Sequence, residues 1–138
     1  MSTPAIISEW NSKVFKPIYW LEGEEDFFID EIMAFAEKRI LSEADAEFNL
    51  TVFYGKDANW ADIINACRRY PMFAERQVVL LKEAQQMKDI DKLESYIENP
   101  LNSTVLVVSY KGKTLDGRGK LSKLIKKKGE NHNGHFKV

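Results

Sequence analysis

With one cysteine in 138 residues, the chain cannot close an internal disulfide, and a disulfide-framed scaffold is excluded. A lone thiol suits a reducing compartment, so a cytoplasmic location is expected. Seven glycines and four prolines are too few for a collagen-like or low-complexity chain. No stretch approaches the roughly 18 consecutive apolar residues of a membrane-spanning helix. The N-terminus has no basic region followed by an apolar core, so no secretion signal is read there. What is present suffices for a folded domain: 44% apolar and 12% aromatic residues exclude a disordered chain. A single domain of this length buries roughly two thirds of its unfolded surface.

The formal net charge is −1, but the charges are segregated. Residues 1–50 carry 11 acidic and 4 basic side chains, a balance of −7. Residues 111–128 carry eight basic ones (Lys111, Lys113, Arg118, Lys120, Lys123, Lys126, Lys127 and Lys128) against Asp116, a balance of +7. Such a segment is either the solvated face of a helix or an end that meets a polyanion.

Hydrophobic periodicity alternates along the chain. Thr3-Pro4 reads as a helix start, with Ile6, Ile7, Trp10 and Val14 on one face and Pro17 closing the segment. Ile18-Tyr19-Trp20-Leu21, Thr51-Val52-Phe53-Tyr54, Val78-Val79-Leu80-Leu81 and Val105-Leu106-Val107-Val108 read as strands apolar on both faces, as in a covered parallel sheet. Between them, Ile29, Ile32, Met33, Ala36 and Ile40 form one helical stripe, behind an acidic first turn of Glu24, Glu25 and Asp26. Trp60, Ile63, Ile64 and Cys67 form a second stripe, opened by the capping-box-like Asn59 to Asp62 and interrupted at Pro71. Ile90, Leu93 and Ile97 form a third, stopping before Pro100, and Leu121, Leu124 and Ile125 form the last. The expected fold is an open, mainly parallel α/β sheet with helices on both faces and right-handed crossovers. In such folds ligands bind beyond the carboxyl ends of the strands, after Leu21, Tyr54, Leu81 and Val108.

The residues at those ends argue against phosphate, metal and nucleophile chemistry. A phosphate-binding G-x-x-x-x-G-K-[ST] loop begun at Gly23 meets Phe28, Ile29 and Asp30 where glycine, lysine and hydroxyl belong. The acids Glu24 to Asp26 would each repel a phosphate by about 1 kcal/mol at 4 Å even in bulk water. After the third strand, Lys82 stands where a magnesium-binding or phosphate-accepting aspartate would, followed by Glu83. Gly112-Lys113-Thr114 echoes the phosphate loop, but that frame puts Val107 where the first glycine belongs. His132 and His135 lack the further ligands that zinc requires, and Cys67 falls on an apolar helix face. No nucleophile triad is evident, and neither metal nor cofactor is expected.

One segment is unusual. In Arg68-Arg69-Tyr70-Pro71-Met72-Phe73-Ala74-Glu75-Arg76, Pro71 ends a helix and places Met72 and Phe73 on a charged corner. Two readings stay open: the pair packs inward, or it stands out as an anchor for a partner's apolar pocket.

The chain resembles the N-terminal domain of the delta subunit of bacterial DNA polymerase III, the clamp-loader wrench. The matching segments are Pro17-Ile18-Tyr19-Trp20-Leu21-Glu22-Gly23-Glu24-Glu25, Phe48-Asn49-Leu50-Thr51-Val52-Phe53 and Pro71-Met72-Phe73-Ala74-Glu75-Arg76-Gln77-Val78-Val79. Further matches are Glu98-Asn99-Pro100, Ser103-Thr104-Val105-Leu106-Val107, and Leu115-Asp116 with the basic run after it. Together they span residues 4 to 128. The resemblance implies an AAA+/RecA-like P-loop fold over residues 1–129 without a functional P-loop, and no catalysis by the domain itself. It implies binding of the sliding clamp (the beta subunit) through Met72 and Phe73 beside Pro71, ring opening, and ATP use by partner motor subunits. The family often has leucine where Met72 stands, a substitution that flexible methionine accommodates. The lid and collar domains of the family are not in this sequence, so it reads as a fragment. Residues 130–138 read as a tail or the start of a fifth strand. The basic segment 111–128 is then a contact for primer–template DNA or a neighbouring subunit. The alternative is a nucleic-acid-binding module that uses the same segment.

Overall fold

The consecutive apolar runs at 18–21, 78–81 and 105–108 become strands covered on both faces, whereas the run at 51–54 becomes an edge strand that is only partly buried. In a computed structural model, β1 (Ile18–Gly23), β2 (Leu50–Tyr54), β3 (Gln77–Lys82), β4 (Thr104–Lys111) and β5 (His135–Lys137) form one sheet in the order β2-β3-β4-β1-β5. The structure describes residues 3–112, 119–128 and 135–137, and of 3, 4, 126–128 and 135–137 the backbone alone. Every pairing is parallel: Leu50 lies opposite Val78, Val78 opposite Val105, Ile18 opposite Leu106 and Leu21 opposite Phe136.

Alternation along each strand sends neighbours into different cores. On one face, α1 (Thr3–Asn11) and α2 (Asp26–Arg39) bring Ile6, Trp10, Ile29, Ile32 and Met33 onto Tyr19, Leu21, Leu80 and Val107. A short α3 (Glu43–Asn49) leads from α2 into β2. On the other face, α4 (Trp60–Arg68), α5 (Glu94–Ile97) and α6 (Lys120–Lys128) bring Ile63, Cys67, Ile97, Leu121 and Ile125 onto Ile18, Trp20, Leu81 and Val108. Each fully buried side chain of this kind contributes about 1.5–3 kcal/mol relative to exposure. The expected open parallel α/β sheet with helices on both faces is thus the observed one.

Several local expectations need correction. α1 ends at Asn11, and Lys13 follows with φ 63, so Val14 falls outside the helix and is exposed; Pro17 does not end it. α2 starts at Asp26, leaving Glu24 and Glu25 ahead of its first turn. α3 was not expected, although Ser42 caps it by accepting from the Asp45 amide at 3.1 Å. The third helical stripe is not one helix: 3-10 turns at Ala84–Gln86 and Ile90–Leu93 precede the single turn of α5. Ile90, Leu93 and Ile97 still reach the core, because three- and four-residue spacings suit either helix type. α4 ends at Arg68, before Pro71.

Candidate functional site

The corner between α4 and β3 lies at the amino ends of the strands, and its backbone is fastened from two sides. Asn59 opens α4 by accepting from the Ala61 amide at 2.8 Å. At the other end of α4, the buried Gln77 amide donates to the carbonyl oxygens of Ala66 (2.8 Å) and Arg69 (2.7 Å) and to Thr104 Oγ1 (2.9 Å). Thr104 Oγ1 donates in turn to the Cys67 carbonyl at 2.7 Å. The last carbonyls of a helix need such partners. Arg68 donates to the Asn99 carbonyl at 2.8 Å and lies 4.7 Å over the Tyr96 ring, while Arg76 lies 4.4 Å over Phe15. Arg68 and Arg76 are therefore engaged within the molecule, while Arg69 and Glu75 stay exposed.

The tip is different. Phe73 is 96% exposed and Met72 54%, with Pro71 half-buried beside them. Of the two readings of this pair, inward packing is overturned. Phe73 also holds φ at 57, a left-handed conformation that costs a non-glycine residue roughly 1–2 kcal/mol. Met72 is gripped by Asn49, which is only 3% exposed: Asn49 Nδ2 donates to the Met72 carbonyl at 2.9 Å, and the Met72 amide donates to Asn49 Oδ1 at 2.7 Å. Neither Asn49 nor Gln77 stands out in the sequence, and Tyr70 is also exposed on this corner.

At the carboxyl ends of the strands the polar groups answer one another. Lys111, ending β4, places its ammonium 2.5 Å from Asp30 of α2 and 2.7 Å from Glu83 after β3. Lys82 pairs with Glu37 at 2.5 Å. Burial lowers the Lys111 pKa, but the hydrogen bonds and charges of Asp30 and Glu83 outweigh it and leave the value raised. Ile29, where a phosphate loop carries its lysine, is fully buried. Among the described residues, no three His, Cys, Asp or Glu side chains are grouped to hold a metal. Burial pushes the Cys67 thiol up to about 12, so it is a core residue and no nucleophile at neutral pH.

The basic segment divides. Lys111 is turned inward, 13% exposed and paired, which takes it out of any outward-facing set. Lys120 and Lys123 are exposed on α6, with Lys120 3.6 Å from Glu94. Lys126, Lys127 and Lys128 form the last turn of α6 in backbone, and their side chains lie outside the described residues. Lys113, Arg118 and His132 lie outside them too. Among the described residues, no helix is long and apolar enough to cross a membrane.

Comparison with known proteins points one way. The family profile described as DNA polymerase III, delta subunit, matches residues 19–132. The DNA polymerase III subunit delta of Bacillus subtilis is 30% identical over 121 residues, covering 80% of this chain and 35% of that protein. The chain thus spans about a third of the length of this curated relative. The solved Bacillus subtilis DNA clamp loader delta protein superposes with a TM-score of 0.84 at 25% identity, covering 99% of this chain and 42% of that one. A DNA polymerase III gamma subunit-related protein from Thermotoga maritima superposes with a TM-score of 0.62 at 13% identity, covering 100% of this chain and 46% of that one, a likeness of fold alone. A profile over most of the sequence, a curated relative and a full-length superposition agree, and the chain belongs to the DNA polymerase III delta subunit family.

Proposed function

We propose that this domain is a non-catalytic part of a bacterial clamp loader that grips the sliding clamp through Met72 and Phe73 and favours its open ring. The observation that carries the reading is the tip itself: a phenylalanine 96% exposed, in a left-handed backbone, on a corner fastened by buried amides. A large apolar side chain so placed gains by entering a partner's pocket, at about 1.5–3 kcal/mol for full burial. Pro71 stiffens the approach to the tip, and Met72 adapts to the pocket wall.

The work on the ring comes from differential affinity. Only the excess of binding to the open clamp over the closed one shifts the ring equilibrium, however tight the grip. ATP is handled by partner motor subunits. Lys82 and Lys111, the lysines that end β3 and β4, are each held by carboxylates, which supports that division of labour. Residues 1–129 act as one unit in this scheme.

Calorimetric titration of a matched sliding clamp tests the reading. The parent chain binds, and Met72→Ala with Phe73→Ala weakens binding by more than about 2 kcal/mol, as an anchor hot spot should. A folded parent that ignores a matched clamp contradicts it.

A second reading has narrower support. Lys120 and Lys123 face solvent on α6, so a contact with primer–template DNA or a neighbouring subunit would run along that helix.

A further inference from the structure

We infer that Asn49 is the positioning residue of the anchor: its side-chain amide acts as a latch that presets the backbone from which Phe73 projects. The inference rests on the clamp-binding reading and adds to it a residue outside the contact surface.

A side chain 96% exposed has almost nothing of its own to hold it, so the direction of Phe73 is set by its backbone. Among the described residues, Asn49 is the side chain that hydrogen-bonds the backbone between Pro71 and Arg76. It does so twice, as a peptide group would, taking the Met72 amide on Oδ1 and giving Nδ2 to the Met72 carbonyl. Those two groups belong to the peptide planes on either side of the Met72 Cα. The second plane leads directly into Phe73, whose φ of 57 is unfavourable unless its surroundings impose it.

The latch is itself fixed. Asn49 is the last residue of α3, it is 3% exposed, and Nδ2 also donates to the Asp45 carbonyl at 3.0 Å, back along its own helix. The helix that the sequence did not reveal thus delivers an amide to a corner 23 residues away. The asparagine amide carries its acceptor and its two donors on separate atoms, matching a peptide's C=O and N–H, and its short stem leaves little freedom. A corner ordered before binding spares the complex the ordering of one or two residues, each worth roughly tenfold in the equilibrium constant.

The experiment combines amide hydrogen exchange by NMR with clamp titration of the parent, Asn49→Ala, Phe73→Ala and the double variant, all checked for folding. The Met72 amide is slow to exchange in the parent and fast in Asn49→Ala. Asn49→Ala weakens clamp binding about tenfold, and in the Phe73→Ala background it costs nothing further. Asn49→Asp keeps the size but turns a carboxylate towards the carbonyls of Met72 and Asp45. It is expected to lose the same affinity, and it is the variant to read should the alanine form not fold. An unprotected Met72 amide in the parent, or an equal loss with and without the Phe73 ring, overturns the latch. Asn49 variants that bind as the parent does overturn the latch alone, whereas a parent that does not bind overturns the clamp reading.

Discussion

The two ends of the sheet are built on opposite plans. At the carboxyl ends, where an α/β fold ordinarily does its chemistry, Lys111 meets Asp30 and Glu83, and Lys82 meets Glu37. At the amino ends, polar groups fasten the backbone, and Tyr70, Met72 and Phe73 are left facing water. The charges of the carboxyl end answer one another, although Phe27, Phe28 and Tyr54 stay exposed there, whereas Phe73 at the amino end is almost wholly in water. In this domain, charge pairs occupy the ordinary ligand end of the fold, and recognition is proposed at the far end.

The sharpest way to break that contrast is to remove each end's distinctive groups in turn. Loss of Met72 and Phe73 is expected to cost more than about 2 kcal/mol of clamp affinity while the melting temperature stays within a degree or two, since exposed side chains add little to stability. Lys111→Met should do the reverse. Stability falls by about 1–2 kcal/mol, because Asp30 and Glu83 lose their shared cation, and clamp affinity is unchanged. Urea unfolding of both variants beside clamp titration reads the two effects.

Titration sharpens the account of the core. Burial raises Cys67 from 9.0 to about 12, and Tyr19 and Tyr96 from 10.0 to about 12. Between these values the unfolded chain releases protons that the folded chain keeps, so stability declines as pH climbs from about 9 towards 12. The raised Lys111 acts with the same sign: its pairing stabilises while the ammonium is protonated and is lost as pH rises through its folded pKa. Cys67→Ala should flatten the first part of that decline, measured by denaturant unfolding at a series of pH values. The smallest expected effect belongs to α6. Neutralising Lys120 and Lys123 should reduce the salt slope of any DNA binding by roughly 0.7–0.9 for each phosphate left without its lysine, and leave clamp affinity alone.

Much of this was legible in the sequence. Strands buried on both faces write themselves as unbroken apolar runs, and Pro71-Met72-Phe73 shows its oddity within three adjacent letters. The expectation of no phosphate loop was equally local, because a motif with fixed spacing fails at Phe28, Ile29 and Asp30 in plain view. What escaped was non-local. Asn49 means nothing until β2 and β3 pair and bring Met72 beside it. Lys111 looked like one cation of a basic run, and only the fold places Asp30 and Glu83 around it. α3 was missed because its seven residues carry no long stripe, although Ser42 and Asp45 held the capping signal.

The most direct measurement is residue-by-residue mapping of the clamp contact by NMR on the labelled chain. The account predicts that adding the clamp perturbs Met72, Phe73 and the Asn49 side-chain amide, and leaves Asp30, Glu83 and Lys111 unmoved. Perturbation centred on those three charged residues, with Phe73 unchanged, would contradict it.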